Sequence, residues 1–229
     1  MEMTRQSEAL NRKILLAGSR LWSVTEAFFD HPDLGRLLPE YLFLVHCSMR
    51  ATVPLMEAAE RRARELSEAD PVAARLVPYF QEHCQEEMDH DEWLLEDLEA
   101  LGVERASVLG RTPPAEVASL VGAQYYWISH AHPVALLGWF AVLEGNPPPP
   151  EMVVRLRERT GVPERALRTL YEHAVLDLHH RDDLNDLIDS LALRPEHVEL
   201  MGLSALHVID QLVRILDRVM ILAGNGHVH

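Results

Sequence analysis

Residues 70–102 read DPVAARLVPYFQEHCQEEMDHDEWLLEDLEALG. Wound at about 100° per residue, the stretch predicts a helix whose apolar stripe carries Leu76, Phe80, Leu94, Leu98 and Leu101. Asp70 is an N-cap followed by a first-turn proline, Pro71, and Gly102 suits the C-terminal cap. The middle of that apolar stripe is taken by His83, Glu87 and His90. Ionisable groups on a core face are costly unless partnered, so something must satisfy all three. Glu86 falls at the edge of the stripe, while Glu82, Asp89 and Glu96 look outward.

Helical periodicity continues on both sides, and no alternating strand pattern occurs, so the fold class is all-α. The expected helices cover 7–29, 34–66 with a kink at Pro54, 70–101, 104–109, 114–144, 151–160, 163–191 and 195–223. Asn146 and the four prolines after it read as a stiff stop, and 224–229 as a frayed tail. Short turns between long helices describe one bundle domain over 1–229, of about seven helices.

The bulk numbers narrow the partners. The chain has 229 residues, 48% of them apolar, enough for a full core, and carries a formal charge of -15. So acidic a surface repels nucleic acid and anionic membranes, which leaves small molecules or proteins. No stretch reaches the roughly 18 apolar residues of a membrane span, and no secretory leader opens the chain, so the expected location is the cytoplasm. The two cysteines, Cys47 and Cys84, sit in helical stretches and form no CxxC pair, which makes them buried thiols, not a zinc site or a disulfide.

The anomaly of the 70–101 helix recurs twice. His173, Asp177 and His180 lie within an arc of roughly 60° on the line of Leu170, Leu184, Leu187 and Leu191. Glu144 closes a stripe formed by Tyr126, Pro133, Leu137 and Phe140. A single histidine on an apolar face is usually a satisfied core residue. Acid and histidine on two helices at spacings of three and four, with a buried glutamate on a third, fit instead the imidazole and carboxylate set with which bundles hold paired iron or manganese ions.

The stretches HCQEEMDHDEWLLEDLEALG at 83–102, GWFAVLEG at 138–145 and HAVLDLHH at 173–180 resemble the iron-containing redox enzymes of the haem-oxygenase-like diiron oxidase superfamily. That superfamily is related in fold to the thiaminase-II and PQQ-synthesis oxidase proteins, and the resemblance spans about residues 35–190. It implies a haem-oxygenase-like bundle in which His90, Glu144, His173, Asp177 and His180 ligate two ferrous ions, the second held labile. A further acidic ligand commonly sits one or two turns before the His90 position; Glu87 fills the first place, and His83 stands in the second, where a glutamate is often found. Glu87, a histidine-richer site through His83, and a weakly bound second iron all stay open.

The resemblance further implies a non-haem diiron oxidase or oxygenase with dioxygen as co-substrate. Its substrate would be a small amine, amino acid or fatty acid, oxidised by N-oxygenation, desaturation or carbon–carbon cleavage, with an external electron donor and a homodimer also expected. His46 and Arg50 share a face on the 34–66 helix, which borders the pocket in this fold. His46 reads either as an extra ligand or acid/base group or as a pocket histidine bonded to a carbonyl; Arg50 reads as a clamp for a substrate carboxylate or as the partner of Glu57 or Glu60. Trp127, Trp139, Phe140, Tyr125 and Tyr126 are candidates for the pocket wall. The rival readings are a metal-free oxidase or hydrolase on this fold and a non-catalytic metal-binding protein; a hydrolase of the thiaminase type needs a cysteine nucleophile, and Cys84 points off the stripe.

Overall fold

The computed structural model describes residues 5–145 and 149–224. Twelve α-helices and one 3-10 turn account for the regular structure, with no strand among the described residues. The expected long helices are present, but four of them are each divided once. The first becomes α1 (Gln6–Ala17) and α2 (Ser19–Phe29), parted at Gly18. The second becomes α3 (Leu34–Met49) and α4 (Thr52–Leu66). Pro54 therefore does not kink a continuous helix; with no N–H to offer the carbonyl of Arg50, it occupies the first turn of a new one.

The third division matters most for function. α5 (Pro71–Glu86) ends at Glu87, and α6 (His90–Ala100) begins after Asp89, which holds a left-handed φ of 67°. Aspartate accepts that conformation more readily than most residues, so the chain can turn there and still bring His83, Glu87 and His90 inward. A short α7 (Arg105–Gly110) precedes α8 (Ala115–His130) and α9 (Ala135–Leu143), which are separated around Pro133. That break re-phases the helix. Tyr126, expected on the buried stripe, is 63% exposed, whereas Phe140 is fully buried.

α10 (Pro150–Thr160) closes on Gly161 at φ 67°, a 3-10 turn (Glu164–Leu167) leads into α11 (Arg168–Ser190), and α12 (Pro195–Gly224) completes the bundle. Asp70 caps α5 as its position predicts, its carboxylate accepting from the N–H groups of Val72 at 2.8 Å and Ala73 at 3.2 Å. The expected stop at Asn146, Pro147 and Pro148 and most of the expected tail, 225–229, lie outside the described residues.

Leu37, Leu38, Leu42, Leu76, Phe80, Trp139 and Phe140 are among the fully buried side chains, each contributing about 1.5–3 kcal/mol of transfer free energy. The long α12 crosses α9 so closely that a Cβ on Gly138 would lie 2.2 Å from the carbonyl oxygen of Met201. α11 lacks a cap of its own and receives one from α6: the buried Asp97 carboxylate accepts the Thr169 N–H at 3.0 Å. These two contacts fix α9 and α11, the helices that present Glu144, His173, Asp177 and His180. No helix among the described residues is long and apolar enough to cross a membrane.

Candidate metal centre

Four helix segments meet at one buried volume. The end of α5 and the start of α6 bring His83, Glu87 and His90, the end of α9 brings Glu144, and the middle of α11 brings His173, Asp177 and His180. His180 Nδ1 lies 3.6 Å from Glu87 Oε1, 3.7 Å from Glu144 Oε2 and 3.9 Å from Asp177 Oδ1. Those same four atoms, and His173 Nε2, are buried without a hydrogen-bond partner. Buried polar atoms are almost always bonded, so five unpartnered atoms of this kind in one place have the chemistry of a cation's ligand set.

The hydrogen bonds around the rings decide which nitrogens are free. His173 donates from Nδ1 to the Thr169 carbonyl at 2.9 Å, which leaves the Nε2 lone pair unused and holds the ring as a metal ligand is held. His90 Nδ1 faces Glu87 Oε2 at 3.1 Å, again leaving Nε2. Glu87, His90 and His173 form one compact trio of ligand atoms. His83 differs: Nε2 faces Glu144 Oε1 at 3.4 Å and Nδ1 faces Glu86 Oε2 at 3.5 Å. With a carboxylate facing each nitrogen, the ring can offer a lone pair to a cation only where one of those contacts gives way, and His83, Glu86 and His180 do share ligand-like spacing.

Electrostatics agree with that division. Burial and the neighbouring Glu144 and Glu87 carboxylates push the Asp177 carboxyl up to about 8. Burial also raises Glu144, against the pull of His83. Burial works upward on Glu87 too, but the His90 hydrogen bond and the charges of His90, His173 and His83 outweigh it and leave the group below its ordinary value. Burial lowers His180 to about 4 and lowers His173. His83 is raised instead: burial opposes, but its bond to Glu144 and the surrounding carboxylates prevail. Asp177 and Glu144, crowded in a dry space beside Glu87, hold their protons more tightly than free carboxyls do, and a cation would compete with those protons.

A second grouping, Asp70, His132 and His197, has ligand-like spacing at the far ends of α5, α9 and α12. Its hydrogen bonds argue against a cation. His132 Nδ1 accepts the Val134 N–H, which places the ring proton on Nε2, and the Arg194 guanidinium lies 2.7 Å from His197 Nε2. Asp70, His132 and His197 thus form a stacked histidine pair set between an aspartate, 3.5 Å from His132 Nε2, and the Arg194 guanidinium.

A cavity of about 290 Å³ opens beside the centre. Glu87, Glu144, His173 and Asp177 form its polar end, and Trp22, Leu44, Met49, Trp139 and Leu216 are among its apolar walls. Neither His46 nor Arg50 lines it. His46 is buried with both ring nitrogens unpartnered and senses Arg50, Asp91 and Arg105, because its position on α3 turns it towards α6 and away from the cavity. Of the aromatic residues expected in the wall only Trp139 is there; Phe140 packs on the His83 ring at 4.8 Å, and Tyr125 and Tyr126 are exposed. Sequence reasoning missed Trp22, Phe29 and Tyr41 on the cavity side, and the supports Glu86, Asp97 and Thr169. Only Glu86, at the stripe edge, left any trace in the pattern; the rest depend on helix pairing.

The profile of a family described as iron-containing redox enzymes matches residues 70–210, which hold every residue of the centre. No curated protein matches the sequence. Among solved structures, a domain of unknown function with a haem-oxygenase-like fold from Shewanella denitrificans superposes with a TM-score of 0.74 at 16% identity, over 96% of this chain and 93% of that one. A TenA homologue from Pseudomonas syringae pv. tomato gives 0.76 at 13% identity, over 94% and 92%. A CADD-like protein of unknown function from Nostoc punctiforme gives 0.68 at 18%, over 98% and 96%. These likenesses establish the fold, and the match over more than half of its length establishes the lineage: the chain belongs to the iron-containing redox enzyme family, on a haem-oxygenase-like bundle.

Proposed function

We propose that the protein is a non-haem diiron oxidase or oxygenase that uses dioxygen to oxidise a small organic substrate. The observation that carries this reading is the set of five buried, unpartnered ligand atoms, three of them within 3.9 Å of a fourth, His180 Nδ1. Glu87, His90 and His173 would hold one iron, and Glu144, Asp177 and His180 the other. When bound, ferrous ions supply the electrons and the Lewis acidity that dioxygen activation needs.

The chain's own part is positional. Thr169 fixes the His173 ring through its carbonyl, and Asp97 fixes Thr169 through its N–H. His83, whose ring lies 4.7 Å from that of His180, orients Glu144 through its Oε1 atom. The apolar cavity brings substrate to the carboxylate end and keeps bulk water away. An external electron donor and a small-molecule substrate are the partners this reading requires. The hydrolase alternative lacks support: Cys84 is buried, lies outside the cavity lining, and has its thiol pushed up to about 11 by burial and by Glu57 and Glu60. His180→Ala and Glu144→Ala should each lower iron-dependent oxygen uptake by about 100-fold or more with helical content unchanged. An active Glu144→Ala protein would refute the assignment.

A further inference from the structure

The cavity beside the centre has an uneven chemistry. Among the described residues no lysine or arginine lines it, and its only carboxylates are Glu87, Glu144 and Asp177 of the centre itself. Its remaining polar side chains, such as Thr25, Ser48 and Thr52, are neutral. A zwitterion placed there would bury one charge with no partner. At about 290 Å³ the space lies at the small end of ligand pockets.

Trp22, Thr25 and Phe29 of α2 line this cavity and also a second one, of about 350 Å³, between α2 and α10. The outer cavity carries Glu26, Asp30, Arg155 and Arg159. These three side chains are therefore the partition between an apolar interior and a charged surface groove. Trp22 is the largest of them, and its indole rests over Gly18, where a Cβ would stand 2.9 Å from the ring nitrogen. The glycine that divides α1 from α2 thus also makes room for the indole.

We propose that the substrate is a compact apolar molecule with a single polar end, which meets the carboxylates, and that Trp22 is the specificity-determining residue that limits the length of its apolar part. This deepens the diiron reading and rests on it for the chemistry, though binding can be measured without turnover. The probes are straight-chain primary alcohols, amines and carboxylic acids of increasing length, with the α-amino acids of the same chain lengths, titrated by calorimetry into metal-free and Mn(II)-loaded protein. Affinity should rise about fourfold per added methylene until the cavity is full and then stop rising, while the amino acids bind at least about 10-fold more weakly. Trp22→Ala should move that cut-off to longer chains by opening the partition. Trp22→Phe, which keeps an aromatic wall, should move it by less and decides the matter alone if the alanine variant does not fold. A cut-off unchanged in the folded variants, or amino acids that bind as well as the single-headed chains, overturns the proposal. Chain-length selection in a protein that takes up no metal would uphold this inference and sink the diiron reading, so the two failures are distinct.

Discussion

His83 shows how much a single ring's surroundings decide. The helical period places it on the stripe of Glu87 and His90, and so admits it as a ligand; its neighbours were invisible in the sequence because Glu144 comes from a helix 61 residues away. Facing Glu86 and Glu144 with its two nitrogens, it orients a ligand carboxylate, and those carboxylates favour its charged form. The expected outcome is that His83→Ala keeps its iron stoichiometry with weakened affinity, whereas Glu87→Ala loses one ion; loss in the histidine variant would make it a ligand. His173 teaches the converse. Its i−4 carbonyl bond to Thr169 is a local contact, and the spacing of His173, Asp177 and His180 was legible for the same reason. His46 lies outside the cavity lining, because a face shared with Arg50 says nothing about which neighbour α3 presents it to.

At the scale of elements, the sequence reveals where helices lie better than where they break. Pro54 is legible as an interruption, whereas Pro133 falls on the stripe of an expected continuous 114–144 helix; the chain starts a new helix at each, with Pro54 in the first turn of α4, where it costs no backbone hydrogen bond, and Pro133 just before the N-cap of α9. The break at Glu87–Asp89 carries no proline or glycine and rests on one left-handed aspartate, a state no periodicity reports. Helix pairing is equally hidden. Gly138 looks like a weak point in an apolar helix, yet it is the place where α9 meets the backbone of α12. Gly138→Ala must push the two helices apart or strain them, which should cost about 1–3 kcal/mol and displace Glu144. Thermal unfolding with an iron titration would check it: a variant as stable as the parent, with unchanged iron affinity, contradicts the packing described.

For the whole molecule, the centre sets a pH dependence of its own. Asp177 in the metal-free fold titrates at about 8 against 3.8 when unfolded, so the folded state binds the extra proton and loses stability as pH rises between those values. His83, raised above 6.5, acts in the same direction as pH climbs through its folded value. His180, lowered to about 4, acts oppositely, but only below 6.5. From pH 6.5 to 8 the metal-free protein should therefore lose stability, by roughly 1 kcal/mol per pH unit for each such proton. Mn(II) or Fe(II) should abolish the trend, and melting curves with and without chelator would reveal it. The acidic balance of -15, read from composition alone, adds a cation-attracting surface and says nothing of where the cation goes.

The central claim is that the orphaned atoms of Glu87, Glu144, His173, Asp177 and His180 belong to an iron site, and an anaerobic Fe(II) titration of the metal-free protein tests it most directly. The account predicts uptake of about two ions per chain, with one bound more weakly than the other, and loss of uptake in the His180→Ala and Glu144→Ala variants. Failure of the parent protein to bind iron, or full uptake by those variants, would contradict it.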